Sequence, residues 1–439
     1  MPGAGRIPPE ATDTERKIVY QRQQIPYKYT YMAGNPTLSV VVGAGGSLEL
    51  GAPSTNALTT IIHAALDQMP ALPKSSPGWA QQVSKVLITR CQEYYGSHYN
   101  FEFLFNTLEA ITSLSRSWDH QTVPEYKIAE AMFCKLADQN KYEKLFDLYF
   151  TICAQRRLLE AIHTTMSNVS TSAAQHANWD SYSNFWNSLT SNFNLKIATL
   201  NYDTLVDQAL GVSREQQGFV PIPGESVARF DEGTLEQHGR LMHLHGSIHF
   251  GYRTGDSKRF IFEEAFDDLY WHDTSSAALA SQTGKSTNTN QAGREAIISP
   301  IITGLQKPDK LLYEPFSTYY RTLGHLLRSN NKLLVVGYGF SDIHINALLS
   351  RMTRWHGPNR KIALITWFDS KDWSPSMDWA LNRGNEFQTV ATWTEDRAPM
   401  NHSTYQNPWT SSNGLVRVYL GGLMDTATNL LPDLVSFFS

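Results

Sequence analysis

Six largely apolar runs punctuate the chain, at residues 38–42, 196–200, 241–244, 333–336, 362–365 and 416–420, and each is followed by glycine or a polar residue. Runs of this kind, without strict polar alternation, suit strands that are covered on both faces of a sheet. Enough chain separates successive runs for crossover connections. The pattern therefore predicts an α/β fold, a Rossmann-like, doubly wound and mainly parallel sheet.

Between the first and second runs the periodicity becomes helical. Helices are predicted near 54–67, 79–95, 100–115, 124–138, 141–167 and 178–192, which makes a large helical insertion, about 68–192, between the first and second strands. Residues 1–36 are polar and aperiodic and read as an N-terminal arm, leaving 37–439 as one domain. Residues 274–293 are rich in Ser, Thr, Asn, Gln and Ala, which predicts a long mobile loop. Within it Gly284-Lys285-Ser286 mimics the end of a P-loop. Leu279 stands where the leading glycine is required and no strand precedes it, so an ATPase site is rejected.

Composition narrows the class. Of 439 residues 41% are apolar, 12% aromatic and 18% charged, a globular balance. The formal net charge of -4 offers no global attraction to nucleic acid or an anionic membrane, and neither is an expected partner. Cys91, Cys134 and Cys153 form no Cys-x-x-Cys pair, which argues against a disulfide framework and a structural zinc site and favours a reducing cytoplasm. The first residues lack the apolar core of a signal peptide, and no stretch reaches the roughly 18 apolar residues of a membrane span, so a soluble cytoplasmic protein is expected.

Four strand ends carry candidate chemistry. After the first run, Gly43-Ala44-Gly45-Gly46-Ser47 offers bare backbone and amide donors to a pyrophosphate, although its spacing is not G-x-G-x-x-G and a plain strand-to-helix turn is the alternative. After the second, Thr199, Asn201 and Asp203 cluster where open α/β sheets bind ligands; Asn201 suits a ribose hydroxyl or a water, and either Asn201 or Asp203 suits the cap of a helix beginning near Thr204. After the third, His245 beside Gly246 is a general-base candidate. A structural histidine is its alternative. His243, two residues earlier, admits a metal pair, which neither an HExxH motif nor a cysteine supports. After the fourth, Gly337-Tyr338-Gly339-Phe340-Ser341-Asp342 forms a second glycine turn, whose Ser341 and Asp342 suit a helix cap or a ribose.

Together with Gly51-Ala52-Pro53-Ser54, these four segments resemble the sirtuin-like (silent information regulator) family from about Leu38 onward. The resemblance implies NAD as substrate. It implies phosphate contacts at Gly43, Ala44, Gly45 and Ser47, Asn201 at the nicotinamide ribose beside Thr199, and a catalytic His245. It further implies that Asp203 supports Asn201, and that Gly337, Gly339, Ser341 and Asp342 contact ribose or adenosine. Protein-deacylating members carry Pro-Asp-Phe-Arg where this chain has Pro53-Ser54-Thr55-Asn56, and a four-cysteine zinc module that does not follow His245 here. The long helical insertion and the Asn-Tyr-Asp and Gly-Tyr-Gly-Phe-Ser-Asp segments are more similar to sirtuin-like NAD hydrolases of bacterial anti-phage systems, which deplete NAD to abort infection. Such a likeness implies no metal, gating through homo-oligomer or partner, and a separate partner protein: a HerA-type ATPase first, a short prokaryotic Argonaute second. A protein deacylase and a non-catalytic NAD-sensing subunit remain the alternatives.

Overall fold

In a computed structural model, the described residues are 34–72, 76–115, 148–252, 269–281, 287–289, 295–297, 300–303, 311, 313–367, 384–395 and 406–439. Strand β1 (Thr37–Val42) lies inside a seven-stranded sheet, paired in parallel with β10 (Lys332–Val336) on one side and β2 (Asn194–Thr199) on the other. Beyond β10 follow β11 (Lys361–Ile365) and β13 (Val416–Tyr419), both parallel, and β12 (Trp409–Thr410) closes that edge antiparallel. Beyond β2 lies β5 (Leu241–His243), also parallel. All six apolar runs thus become strands of one sheet.

The order β13-β11-β10-β1-β2-β5 means that the chain winds outward from β1 in one direction and later returns to wind in the other. The reversal falls between β1 and β10. Outside the carboxyl ends of the strands, a switch point of this kind leaves a crevice, because successive connections leave on opposite faces.

Both faces are buried, which explains the continuous apolar runs. Val41, Ala198, Met242, Leu333, Val335 and Leu364 pack on one side with Tyr319, Leu323 and Leu327 of helix Phe316–Ser329. Val40, Val42, Ile197, Leu334 and Ile365 pack on the other with Phe185, Trp186 and Leu189 of helix Trp179–Asn192 and with Leu434 and Phe438 of helix Leu431–Phe438.

The insertion between β1 and β2 is helical where it is described: Thr55–Asp67, Trp79–Tyr95, Phe101–Ser115 and Leu148–Ser172 precede the helix Trp179–Asn192. The helix expected near 124–138, like residues 1–33 of the expected arm, lies outside the described residues. The insertion has its own apolar core, which reaches the sheet through Tyr202, Ile248 and Ile301. His163 bonds the carbonyl of Ile248 at 2.8 Å, and the Ser170 hydroxyl accepts from the amide of Thr204 at 3.1 Å. These ties hold the insertion against the loops at the carboxyl edge of the sheet.

A small antiparallel sheet, β3 (Phe219–Pro221), β4 (Val227–Phe230), β7 (Tyr270–His272) and β6 (Phe250–Gly251), was not apparent from the pattern because its strands are too short to show a period. The loop expected over 274–293 is corrected in two places. Ser275–Ser281 is a helix, and Thr287–Thr289 pairs as β8 with β9 (Glu295–Ile297). The small side chains that suggested a loop here serve close packing: Ala278 and Ser281 are buried, and the Ser281 hydroxyl accepts from the amide of Tyr252 at 3.1 Å and donates to the carbonyl of Ala278 at 2.7 Å. Among the described residues no helix is long and apolar enough to cross a membrane.

Candidate active site

The two glycine turns flank the switch point and interlock. The Gly43 amide donates to the carbonyl of Val336 at 2.9 Å and the Gly45 amide to that of Gly337 at 2.7 Å. A Cβ on Gly43 would lie 2.7 Å from Tyr338 Cα, one on Gly45 2.8 Å from Gly337 Cα, and one on Gly337, whose φ is +58°, 2.1 Å from the Gly46 nitrogen. Contacts that close exclude any side chain, so the approach of the two turns by itself demands glycine at 43, 45 and 337. The amides of Gly46 and Ser47 donate to the carbonyls of Gly43 and Ala44, which starts the short helix Gly45–Leu48. Ala44, Gly339 and Ser341 are exposed at the rim, and no atom lies within 4 Å of a Cβ added to Gly339.

Ser47 links the first turn to the second. Its hydroxyl accepts from Asn201 Nδ2 at 2.8 Å. Thr199 Oγ1 accepts from the Asn201 amide at 3.1 Å, so Asn201 is held at both backbone and side chain. Of the two cap candidates it is Asp203 that accepts from the first helical amide, Leu205, at 3.1 Å. Burial pushes the Asp203 carboxyl above its ordinary range, against the opposing hydrogen bond from the Leu205 amide.

His245 meets the fourth turn. Its Nε2 lies 3.0 Å from Asp342 Oδ2, and both side chains are buried. The other carboxylate oxygen, Oδ1, caps helix Ile343–Leu349 by accepting from the amides of His344 and Ile345 at 2.8 and 3.2 Å. Asp342 thus does two jobs, and the helix start holds it where His245 needs it. Gly246, at φ +96°, is required by packing: its Cβ would lie 2.0 Å from the Pro300 carbonyl oxygen, in the segment whose Ile302 amide donates to the His245 carbonyl at 2.8 Å. Phe340 also sits in left-handed backbone, at φ +53°. That conformation costs a non-glycine residue about 1–2 kcal/mol, and the fully buried ring, packed on Tyr338 and Trp393, holds it there.

His243 and His245 turn to different carboxylates, His243 to Asp207 at 3.1 Å and His245 to Asp342. Among the described residues no group of three or more His, Cys, Asp or Glu side chains is placed to hold a metal. Asp207 was not singled out from the sequence, nor was Gln217, whose Nε2 donates to Asp207 Oδ1 at 2.8 Å. An acid in a short helix reads as a surface residue. Only the histidine two positions before His-Gly hinted at a buried partner.

Hydrogen bonds join the segments into a circuit: Gly45 to Gly337, Ser47 to Asn201, Asn201 to His243, and His245 to Asp342. Residues 195–383 match the SIR2-like domain family. The SIR2-like stretch spans Asn201, Asp203, His245 and the turn from Gly337 to Asp342, while the turn from Gly43 to Ser47 precedes it. No curated protein matches the chain. Among solved structures the chain is similar to a Sir2 homolog–NAD complex, at 10% identity over 92% of each chain, with a TM-score of 0.34. At that score the SIR2-like reading rests on the family match, and the fold on the topology seen directly.

Proposed function

We propose that this protein hydrolyses NAD+ to nicotinamide and ADP-ribose. The observation that supports this most is the buried pairing of His245 with Asp342 at the carboxyl ends of the strands, within a SIR2-like sequence. The NAD phosphates lie along the turn at Gly43, Ala44, Gly45 and Ser47, whose Ala44 is exposed at the rim. Thr199, Gly337, Gly339, Ser341 and Asp342 border the riboses and adenosine.

In the reaction the C1′–N bond breaks, its electron pair passes to the nicotinamide nitrogen, and a water oxygen bonds C1′. Asn201 positions that water or the ribose. Asp342, 3.0 Å from His245 Nε2, orients the ring, and His245 takes the proton released. Asp203 supports Asn201 or its loop as a positioning residue. A general base contributes about 10²–10⁴-fold to such a step.

The cellular role that fits is NAD depletion in abortive anti-phage defence, in the cytoplasm, gated by oligomerisation or by a separate partner. A HerA-type ATPase is the first partner proposed, and a short prokaryotic Argonaute the second. The likeness of the insertion and turn segments to defence NAD hydrolases supports this role. Purified protein, with and without co-purified partners, is expected to release nicotinamide without any acyl-lysine peptide. Asn201→Ala and His245→Ala are expected to leave NAD intact; undiminished hydrolysis by either variant, or release only with an acylated peptide, overturns the assignment.

A further inference from the structure

We propose that His243 and Asp207 form a buried imidazolium–carboxylate pair that fixes the Asn201 peptide, making both of them positioning residues for the site. The inference rests on the functional reading above for what the pair serves, but not for its existence.

Both nitrogens of the His243 ring face acceptors. Nδ1 lies 3.3 Å from the Asn201 carbonyl oxygen, and Nε2 lies 3.1 and 3.2 Å from the two Asp207 carboxylate oxygens. A neutral imidazole carries one N–H and would turn a lone pair toward one of these oxygens; the doubly protonated ring satisfies both. At 0% exposure no water relieves a mismatch. Gln217 Nε2 fixes the carboxylate from a third direction.

The surrounding charges agree. Asp207 and Asp203 favour the charged ring over the opposing effect of burial, and the net direction for His243 is upward. His249, held below the ordinary histidine range mainly by burial, also feels the His243 charge. The phenols of Tyr182 and Tyr319, close enough to feel these carboxylates, are held neutral by burial. The Phe250 ring closes the remaining side, edge-on at 6.0 Å.

A buried charge pair adds little net stability, since desolvation offsets its attraction, and apolar residues of similar volume usually fill such a place at no loss. This pair sits where the peptide that carries Asn201 needs an anchor. Asn201 is gripped at its amide by Thr199, at its side chain by Ser47 and at its carbonyl by His243.

The test compares Asp207→Asn with the double variant Asp207→Leu/His243→Met. In Asp207→Asn the ring loses its counter-charge, and kcat is expected to fall about tenfold or more while KM for NAD changes little, as for a displaced reacting group. The apolar double variant is expected to regain the melting temperature but not kcat. If it regains both, or if folded Asp207→Asn keeps wild-type kcat, the pair is not a positioning device and the proposal is overturned. The 15N signals of His243 in the wild-type protein give a reading that needs no activity. Two protonated nitrogens at pH 8 support the pair, and a neutral ring overturns it. Absence of NAD turnover by the wild-type protein would sink the functional reading alone.

Discussion

The Ser47 hydroxyl accepts a 2.8 Å hydrogen bond from the side-chain amide of Asn201, a residue 154 positions away in sequence. One small side chain thus couples the glycine turn after β1 to the polar cluster after β2. Ser47→Ala would leave the buried side-chain amide of Asn201 without this partner, at about 1–3 kcal/mol. Urea unfolding should show that loss, and NAD turnover should fall alongside it as Asn201 loosens. Unchanged turnover in the folded variant would show that Ser47 serves stability alone.

Asp342 separates capping from orientation. In Asp342→Asn the side-chain oxygen still accepts from the amides of His344 and Ile345, so the helix cap is kept, while His245 loses its carboxylate. Stability is expected to change by less than about 1 kcal/mol, with turnover down by about 10²–10⁴-fold. A thermal melt and a steady-state assay on one preparation check both halves.

Gly337 and Gly339, two residues apart, should behave differently. A methyl on Gly337 meets left-handed backbone and the Gly46 nitrogen at 2.1 Å, so Gly337→Ala is expected to lose at least about 1–3 kcal/mol from strain. Gly339→Ala meets nothing within 4 Å and should stay within about 0.5 kcal/mol of the parent. Its effect, if the turn borders NAD, is a raised KM. Equal destabilisation by both substitutions would refute the interlocked turns.

Acid should loosen the insertion. Burial holds His163 below the ordinary histidine range, so it is neutral in the folded protein and its ring bonds the Ile248 carbonyl. A depressed folded pKa means the unfolded chain takes the proton first. The contribution of His163 is therefore present above about pH 6.5 and is lost as pH falls through the folded value. His163→Gln keeps a donor to Ile248 and cannot titrate. Between pH 7 and pH 5 the wild-type protein is expected to lose more stability than this variant, measured by urea unfolding at each pH.

The strands were legible because burial on both faces is written locally: each of β1, β2, β5, β10, β11 and β13 carries its apolar residues in one short run. Helices at Thr55–Asp67, Trp79–Tyr95 and Trp179–Asn192 were legible for the same reason, from an apolar stripe that repeats within the segment. The two-residue strands Trp409–Thr410 and Phe250–Gly251 carry no period to read. Ser275–Ser281 misled because small side chains suit both a loop and a tightly packed helix.

By itself the sequence determined which residue types stand at the strand ends: glycines after β1 and β10, Asn201 and Asp203 after β2, and His245 after β5. Local composition suffices for that, since strand ends follow from the apolar runs. Only the tertiary structure decided the partners. It showed that Gly45 and Gly337 are glycines because they press on each other, that Asp342 reaches His245, and that His243 and Asp207 lie beneath Asn201. Those pairings join residues from separate crossovers. Their geometry is set by how neighbouring strands align in the sheet, which no single segment records.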